Sequence, residues 1–360
     1  MKIIKNYISR EFLKMFFTIL ISFIGIYFIV EFFERIDDFV EHHANFYDSI
    51  SYFVFKMPLI ISQITPFAVL LATVLTFCIF SKNNEIIAMR LSGISLMEIS
   101  SPLILLSILI SILSFIGNEH IIPYTNQKYN FIFDVKIRKK QPKGIFRTDK
   151  IWYHGEENTI WNIQLFDGTK DVMRGVTLHK FNEENVLIER IDASLVKWRD
   201  GKWNFLNGNI VRFTQDGGFS SESYESKNMF FPEEPKDFKN IKKDPEEMSF
   251  NEIYSYVKEL KKKGFDDTKY SVDMYGKLAA PLSSFIMVLF GIPFSLKSGR
   301  TGGIFKGIVA TIIIGFSYWI ISSIGITLGH SGALPPLIAA WTPNILFIAI
   351  GLYLLISVWH

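Results

Sequence analysis

The sequence predicts an α-helical membrane protein with six transmembrane helices and an inserted all-β domain of jelly-roll-like fold. Apolar segments of membrane-spanning length occur three times before residue 123 and three times after residue 271. Between them, short runs rich in β-branched and aromatic residues alternate with polar turns. The mean hydropathy of +0.24 agrees with a chain divided between lipid and water.

The six apolar segments each match the roughly 30 Å of hydrocarbon that a membrane helix must cross. They lie at about 12–33, 58–80, 99–122, 273–295, 304–327 and 336–358. The third contains several serines and the fourth contains Lys277, so either alone could be a buried helix of a soluble protein. Six such segments in one chain disfavour that alternative. The chain therefore divides into helices 1–3 within residues 1–122, the β domain within 123–271, and helices 4–6 within 272–360.

Basic residues near helix ends predict which loops face the cytoplasm, where Lys and Arg are retained. They occur before the first helix, after the second, and between the fourth and fifth: Lys2, Lys5, Arg10, Lys14, Lys82, Arg90, Lys297, Arg300 and Lys306. The loop between the first two helices is instead acidic. Both termini are therefore predicted to be cytoplasmic, with the β domain outside. The first segment is longer than a signal-peptide core and lacks a cleavage site, so it is expected to be retained.

The central segment has the pattern of a β-meander, which could fold as a sandwich, a jelly roll or an open barrel. Its clearest turn is Asp200-Gly201, a strong hairpin signal. A charged linker follows, and then a short helix near 250–263 whose N-terminus carries a capping box of Ser249 and Glu252. The basic residues at its other end could meet a phosphate or an acidic partner, or could simply complement the helix dipole.

Motifs that carry chemistry are few. No GxxxxGK[ST] loop is present, so the energy for any uphill transport must come from another protein. No HExxH, paired-cysteine or Ser/His/Asp pattern occurs, and His42-His43 has no further ligands at useful spacing, so neither a catalytic nor a metal site is predicted. The single cysteine, Cys78, lies in an apolar run and is interpreted as a packing residue. The formal net charge of +3 gives no indication of a nucleic-acid partner.

Residues 83–93, after the second helix, form the most informative cytoplasmic stretch. They predict a short amphipathic helix, with Ile86, Met89 and Arg90 close together and an end near Gly93. Such a helix can dock into a groove of a partner protein or rest on lipid headgroups, and its periodicity does not decide between the two.

Ionisable residues at membrane depth are costly, so Lys277 is a candidate ligand contact. Alternatively, its ammonium group could reach the outer surface along its flexible stem. Glu31, Glu34 and Arg35 lie at a helix end, where solvation is enough to explain them. The aromatic residues of the first helix suit either an ordinary lipid-facing surface or a cavity for acyl chains, and they include Phe23, Tyr27 and Phe28.

The order of these features resembles the lipopolysaccharide export permeases of the LptF/LptG (YjgP/YjgQ) family, along essentially the whole chain. Besides the helix and β-domain order, the resemblance rests on Tyr7-Ile-Ser-Arg-Glu-Phe12, Asn84-Glu-Ile-Ile-Ala-Met-Arg-Leu-Ser-Gly93, Tyr256-Val-Lys-Glu-Leu-Lys261 and Lys277-Leu-Ala-Ala-Pro-Leu-Ser283. Each stretch is short, but their order and spacing are specific. Residues 315–319 and 332–338 are more similar to the LptG branch than to the LptF branch.

The resemblance implies a permease subunit of an ABC-type lipopolysaccharide exporter in the bacterial inner membrane, with a periplasmic β domain. An LptB-like ATPase dimer would dock on the segment that contains Glu85, Ile86, Met89, Arg90 and Gly93. ATP and Mg would bind to that partner, and this chain would hold no cofactor and catalyse no reaction. An LptF-like permease subunit would stand opposite, and the β domain would pass the lipid to an LptC-like bitopic protein and a periplasmic bridge.

By the same resemblance, the first and fifth helices line a lipid cavity. The candidate residues are Phe23, Tyr27, Phe28, Glu31, Glu34, Arg35, Lys277 and Phe316. One departure matters: where enterobacterial LptG has basic residues at the outer end of the first helix, this chain has mainly acidic ones. Carboxylates cannot hold a phosphate directly. Either divalent cations bridge, or the headgroup carries less charge, or other basic residues meet the phosphates, namely Arg35, Lys56, Lys128, Lys136 or Arg138.

The alternative function is a membrane-anchored scaffold or sensor whose outward β domain binds a protein partner. A scaffold predicts a solid helix bundle below a conventionally filled β domain. An exporter predicts a cavity that opens toward the lipid and continues into the β domain.

Overall fold

A computed structural model describes most of the chain. The described residues are 2–139, 146–147, 151–155, 158–167, 170–182, 184–199, 201–214, 218–235, 238, 244–262, 266–301 and 303–359, of which 146–147, 151, 154, 297–301, 303 and 358–359 are described by their backbone alone.

Within these residues, six helices are long and apolar enough to cross a membrane. We number them first to sixth, and they span Lys2–Glu41, Phe46–Lys82, Leu96–Ile137, Thr268–Leu296, Ile304–His330 and Pro336–Ser357. The predicted number of membrane helices is therefore confirmed.

Two of the six are composite. The third begins as an α-helix at Leu96–Ile116 and continues through two π-helical turns, Gly117–Ile121 and Ile132–Ile137, which flank Ile122–Phe131. The fourth consists of Thr268–Ala279, a 3-10 turn at Ala280–Leu282 that contains Pro281, and Ser283–Thr301. The α-helices of the fifth and sixth extend over Gly303–His330 and Pro336–Trp359.

The first helix is much longer than its apolar segment. Its 40 residues correspond to roughly 60 Å, about twice the thickness of the hydrocarbon layer. No proline interrupts Lys2–Glu41, so the polar ends can continue the helix beyond the lipid.

The second and fourth helices form the centre of the membrane unit, whereas the first, fifth and sixth are mostly exposed. Glycine allows close packing around this centre, because a Cβ at Gly291 would lie 2.7 Å from Thr73 and one at Gly307 would lie 2.8 Å from Val74. Cys78 is buried in the same core, as predicted for a packing residue.

The inserted β domain is a compact unit at Phe133–Lys243. It is narrower than the predicted 123–271, because the third helix continues past residue 123. The short helix at Phe250–Lys262 also lies outside this unit, since its Ile253 and Val257 pack against Met274 of the fourth helix.

The described strands form one antiparallel sheet. They are β1 Phe146–Arg147, β2 Ile151–His154, β3 Thr159–Asp167, β4 Val172–Phe181, β5 Leu187–Arg199, β6 Lys202–Phe213 and β7 Phe219–Met229. β3 to β7 are neighbours in sequence order, and both β1 and β2 pair with β3. Arg199 pairs with Lys202 across the predicted hairpin, where Gly201 has a φ of +74°. The inserted all-β domain is thus confirmed, with meander connections.

Aromatic side chains fill the interior of this domain. Trp161, Trp203, Phe205 and Phe238 are fully buried and contact one another, with 6.2 Å between the two indole centroids. The Nε1–H of Trp203 donates to the carbonyl oxygen of Glu233 at 2.8 Å. Taken by itself, this densely filled interior is the one that the scaffold alternative predicts.

Gly208 lies where the side chain of Tyr224 crosses the sheet, and there is no room there for a Cβ atom. The hydroxyl of Tyr224 passes over it to donate to the carbonyl oxygen of Asp192 at 2.8 Å. Burial raises the pKa of Tyr224 to about 12, so the donor proton is retained at neutral pH. A Cβ at position 208 would overlap both the Asp192 carbonyl oxygen and the Tyr224 hydroxyl.

We therefore expect Gly208→Ala to destabilise the sheet by about 1–3 kcal/mol, the usual cost of overpacking. Hydrogen exchange of the full-length chain, followed in peptides from β5 to β7, measures the effect. Ser223→Ala, at an exposed position of β7, is the control and should leave exchange nearly unchanged. Equal protection of the β5 to β7 amides from hydrogen exchange in Gly208→Ala and the wild type would contradict the proposed overlap.

The part of the third helix that leads to the β domain holds the chain where it returns from that domain. The side-chain amides of Asn126 and Gln127 donate to the backbone carbonyls of Glu246 and Glu247 at 3.0 and 2.8 Å. Asn130 Nδ2 also donates to Glu247 Oε1 at 2.6 Å. We call these five residues the clasp.

The short helix that follows the clasp starts as predicted. The Ser249 N–H donates to Glu252 Oε2 at 2.9 Å, and the Glu252 N–H donates to Ser249 Oγ at 3.2 Å, which confirms the capping box. Glu119, from the first π-helical turn, adds a second cap by accepting the Phe250 N–H at 2.7 Å. A carboxylate there also complements the positive end of the helix dipole.

Candidate functional site

A short helix at Glu85–Leu91 follows the second membrane helix, within the predicted 83–93 segment. It starts after Asn84, which has a φ of +60°, a conformation that Asn tolerates better than most residues. At its other end Gly93 has a φ of +83°. The Gly93 N–H donates to the Arg90 carbonyl and the Ile94 N–H to the Met89 carbonyl, the usual role of a glycine after a helix.

The two faces of this helix differ in their surroundings. Ile86 is buried and Met89 is half-buried, and both pack on the core of the membrane helices. Ile87 and Leu91 are 49% and 85% exposed, and Arg90 is exposed between them in sequence. The helix is thus anchored on one face and offers apolar and basic side chains on the other.

Glu85 connects this helix to the first membrane helix. Its Oε2 accepts a hydrogen bond from the Tyr7 hydroxyl at 3.1 Å, and its Oε1 accepts one from Asn83 Nδ2 at 3.0 Å. The Tyr7 ring stacks on Phe80 with 5.5 Å between centroids. The carboxylate is therefore held in place while remaining half-exposed.

The ends of the first two helices next to the loop that joins them, predicted to be their outer ends, carry a buried charged cluster. Glu31 is only 4% exposed, and its Oε1 accepts from Lys56 Nζ at 2.5 Å, from the Tyr52 hydroxyl at 2.7 Å and from Arg35 Nε at 3.2 Å. The Lys56 ammonium lies 5.4–6.0 Å from the ring centroids of Tyr27, Tyr52 and Tyr129, within range of cation–π attraction. We call these six residues the outer cluster.

The outer cluster corrects the expectation that solvation explains Glu31. The carboxylate is desolvated and is neutralised by a lysine of the next helix, because the helices pack closely there. Glu34, by contrast, is mostly exposed, as expected. Lys56 is therefore an internal partner of Glu31. Among the other candidate phosphate contacts, Lys128 is exposed above the Tyr124 ring, and the Arg138 guanidinium lies 4.4 Å from the Phe133 centroid.

A cavity of about 720 Å³ lies among the second, third, fourth and fifth helices. Its apolar wall includes Phe67, Phe316 and Trp319, and its polar wall consists of amide and hydroxyl groups. The polar residues that line it are Ser62, Gln63, Ser114, Asn118, Ser283, Ser284, Tyr318 and Ser322. Phe316 and Trp319 are 56% and 57% exposed, so the cavity communicates with the surface beside the fifth helix.

The structure brings together only part of the predicted lipid-cavity set. Phe316 lines the cavity, whereas the first-helix residues Phe23, Tyr27 and Phe28 do not. Phe28 is exposed and packs its ring on Phe53 at 4.5 Å. Lys277 is half-buried on the fourth helix, one turn before the cavity residue Pro281, and forms no hydrogen bond or ion pair with the described residues.

The polar lining was missed at the sequence level, although the serines of the third helix gave a signal for it. Ser114 is one of the several serines of the third apolar segment, and serine content alone does not distinguish a cavity lining from a buried helix of a soluble protein. The partners across the cavity come from four helices, and the order of residues along one chain does not show which helix faces meet.

Comparison with known proteins shows the family of this chain. The family described as lipopolysaccharide export system permease LptF/LptG matches residues 6–357. The chain is 22% identical to the lipopolysaccharide export system permease protein LptG of Escherichia coli K12, over 98% of both chains. It is 21% identical to the LptG protein of Haemophilus influenzae over 97% of both, and 22% identical to an uncharacterized protein of Aquifex aeolicus over 82% of both. The chain therefore belongs to the LptF/LptG family of lipopolysaccharide export permeases.

Proposed function

We propose that this chain is the LptG-like subunit of an ATP-driven exporter that extracts lipopolysaccharide from the outer leaflet of the inner membrane. A separate cytoplasmic ATPase dimer supplies the energy. An LptF-like subunit stands opposite, and an LptC-like protein and a periplasmic bridge receive the lipid from the β domain. The distribution of Lys and Arg supports cytoplasmic termini and a periplasmic β domain.

The observation that carries the proposal is the short helix at Glu85–Leu91. Its exposed Ile87, Arg90 and Leu91 form a surface suited to a groove on a partner protein, while Ile86 fixes the helix to the membrane core. Here the Tyr7–Glu85 hydrogen bond and the burial of Ile86 in the core connect the short helix to the first membrane helix. A movement of the docked helix would therefore reach the first helix.

The cavity supports the exporter over the scaffold. A space of about 720 Å³ with an exposed mouth among four membrane helices is large enough for part of a lipid. The aromatic core of the β domain limits how acyl chains could pass through that domain. Because Trp161, Trp203 and Phe205 occupy its interior, acyl chains can enter there only when these side chains move.

The test is co-purification of the tagged full-length chain, expressed with its cytoplasmic ATPase, after gentle extraction. We expect Glu85→Lys to reduce the recovered ATPase by about tenfold, which corresponds to roughly 1.4 kcal/mol. Glu85→Ala should reduce it less, because Ala removes a contact without adding a repulsive charge.

Tyr7→Phe is the matched control. It removes the hydroxyl that Glu85 accepts from and leaves the exposed face of the short helix unchanged. If Glu85 acts on the partner, Tyr7→Phe retains ATPase binding but weakens the link between ATP hydrolysis and transport. If no ATPase is recovered with the wild type, the exporter mechanism is wrong and the scaffold replaces it.

A further inference from the structure

The short helix at Phe250–Lys262 ends in basic residues that suit a phosphate, an acidic partner or the dipole of the helix itself. One side of this helix is covered, because Ile253 and Val257 pack against Met274 of the fourth membrane helix. That contact fixes the rotation of the short helix about its axis. It therefore also fixes which side chains remain exposed.

The short helix runs antiparallel to the start of the fourth membrane helix. At its beginning, the Phe250 N–H donates to Glu119, which lies where the apolar segment of the third helix ends. At its end, Lys261 Nζ lies 3.5 Å from Asp267 Oδ2, and Asp267 directly precedes the fourth membrane span. The short helix thus extends from the border of the hydrocarbon layer into the region beyond it.

One exposed face of the short helix combines an aromatic ring with lysines. Tyr254, Lys258 and Lys261 are spaced by four and three residues, so they lie one above another on the helix surface, and all three are exposed. Glu252 and Glu259 lie about 100° or more around the helix from all of them. The acidic residues are therefore kept away from the basic face.

The helix dipole does not account for this face. A dipole favours cations in the last turn, whereas Lys258 lies before that turn and Tyr254 carries no charge. Within the described residues, Lys261 is paired with Asp267, but Lys258 and Lys262 form no ion pair. Two exposed ammonium groups beside an exposed ring are thus available to a partner.

The order of these residues along the helix matches the layers of a membrane surface. Tyr254 lies roughly 6 Å along the axis from Phe250, and Lys258 and Lys262 lie roughly 12 and 18 Å from it. Tyrosine is typical of the border between hydrocarbon and headgroups. Long side chains on a helix lean toward its N-terminus, which here is the membrane side, so the flexible lysine stems can reach back to the headgroup phosphates.

We infer that Tyr254, Lys258, Lys261 and Lys262 form a contact surface for the anionic phospholipid headgroups of the outer leaflet. The inference rests on the proposed function, which puts this helix on the periplasmic side. Opposite charge selects acidic phospholipids over zwitterionic ones. The contact holds the chain that returns from the β domain at the lipid surface.

The test is hydrogen exchange of the amides of residues 250–262 in the full-length chain, reconstituted in nanodiscs of phosphatidylglycerol or of phosphatidylcholine. We expect phosphatidylglycerol to slow exchange by about tenfold relative to phosphatidylcholine, because each lysine near an anionic surface strengthens the contact by about fivefold. High salt should remove most of this difference, since it screens exposed charges.

Lys258→Gln/Lys262→Gln removes the two unpaired charges, and the difference between the lipids should then fall below about twofold. Glutamine has nearly the same helix propensity as lysine. Comparing the two lipids within each variant also cancels any effect of the substitutions on the helix alone. Arg199→Gln/Lys202→Gln is the matched control, because it removes two exposed charges from the β5–β6 hairpin and should retain the full difference.

Three outcomes would overturn the contact surface. Equal exchange in the two lipids for the wild type would mean that no anionic surface is bound. A lipid difference that persists in Lys258→Gln/Lys262→Gln would mean that the lysines do not bind it. Slower exchange only after lipopolysaccharide is added would mean that the lysines meet the exported lipid and not the bilayer.

Recovery of the ATPase from the same preparations separates this inference from the proposed function. If the ATPase is recovered and the lipids do not differ, the contact surface is wrong and the exporter stands. If the lipids differ as expected and no ATPase is recovered, the contact surface stands and the exporter is wrong.

Discussion

Replacing Glu31 with Gln is expected to lower the free energy of unfolding of the membrane unit by about 3–5 kcal/mol, the usual cost of breaking a buried ion pair. The carboxylate and the Lys56 ammonium are both nearly inaccessible, with side-chain exposures of 5% and 10%. Without the negative charge, Lys56 keeps its buried position but loses its counter-charge. Tyrosine rings around it offset only part of that loss.

The outer cluster also predicts that replacing Glu31 and replacing Lys56 destabilise the protein by different amounts. Lys56→Met should cost less than Glu31→Gln, because Glu31 keeps a second cation in Arg35, 3.2 Å away. The double variant Glu31→Gln/Lys56→Met should recover much of the loss, since a buried pair can often be replaced by neutral groups of similar volume. Thermal unfolding in detergent, analysed as a double-mutant cycle, gives these values.

Glu34→Gln is the matched control, because the Glu34 side chain is 60% exposed and an exposed ion pair contributes little. We expect the midpoint temperature of thermal unfolding of Glu34→Gln to lie close to that of the wild type. A Glu31 variant that unfolds like the Glu34 variant would show that the cluster is not a stabilising element.

The second large effect is expected in the β domain, where Trp203→Ala should cost about 3–5 kcal/mol. The indole is fully buried against Trp161, Trp198 and Phe238, and its N–H donates to the carbonyl oxygen of Glu233. Truncation therefore removes packing, leaves a cavity and breaks a buried hydrogen bond. Trp203→Phe should cost less, because it preserves most of the packing.

Limited proteolysis of the full-length chain measures this effect, since cleavage in β5 to β7 requires the sheet to open. Trp152→Ala serves as the control, because the Trp152 side chain is 58% exposed. Equal cleavage rates in the two variants would mean that the aromatic core does not hold the sheet together.

The membrane helices and the hairpin were predictable because their signals are local. A run of about 20 apolar residues defines a membrane helix, and Asp200-Gly201 defines a tight turn without reference to the rest of the chain. The short helix at Glu85–Leu91 and the capping box at Ser249 and Glu252 were predictable for the same reason.

The outer cluster and the cavity lining could not be predicted in this way. Glu31 and Lys56 are 25 residues apart and meet only because two helices pack side by side. The sequence showed an acidic helix end, which solvation was enough to explain, and a separate lysine that was a candidate phosphate contact. Likewise, Asn118 and Ser62 are 56 residues apart, and their hydrogen bond depends on how the second and third helices face each other.

The clasp joins the two chain segments that lead into and out of the inserted domain. Residues 126–130 of the third helix and the first residues after the domain are joined by hydrogen bonds of 2.6–3.0 Å, all within the membrane unit. The two points at which the domain attaches therefore stay together without help from the domain itself. A short flexible linker in place of residues 133–243 would therefore connect the two chain ends at little entropic cost. We expect that β domains suited to different lipid-accepting proteins could be inserted at the same point of the membrane unit.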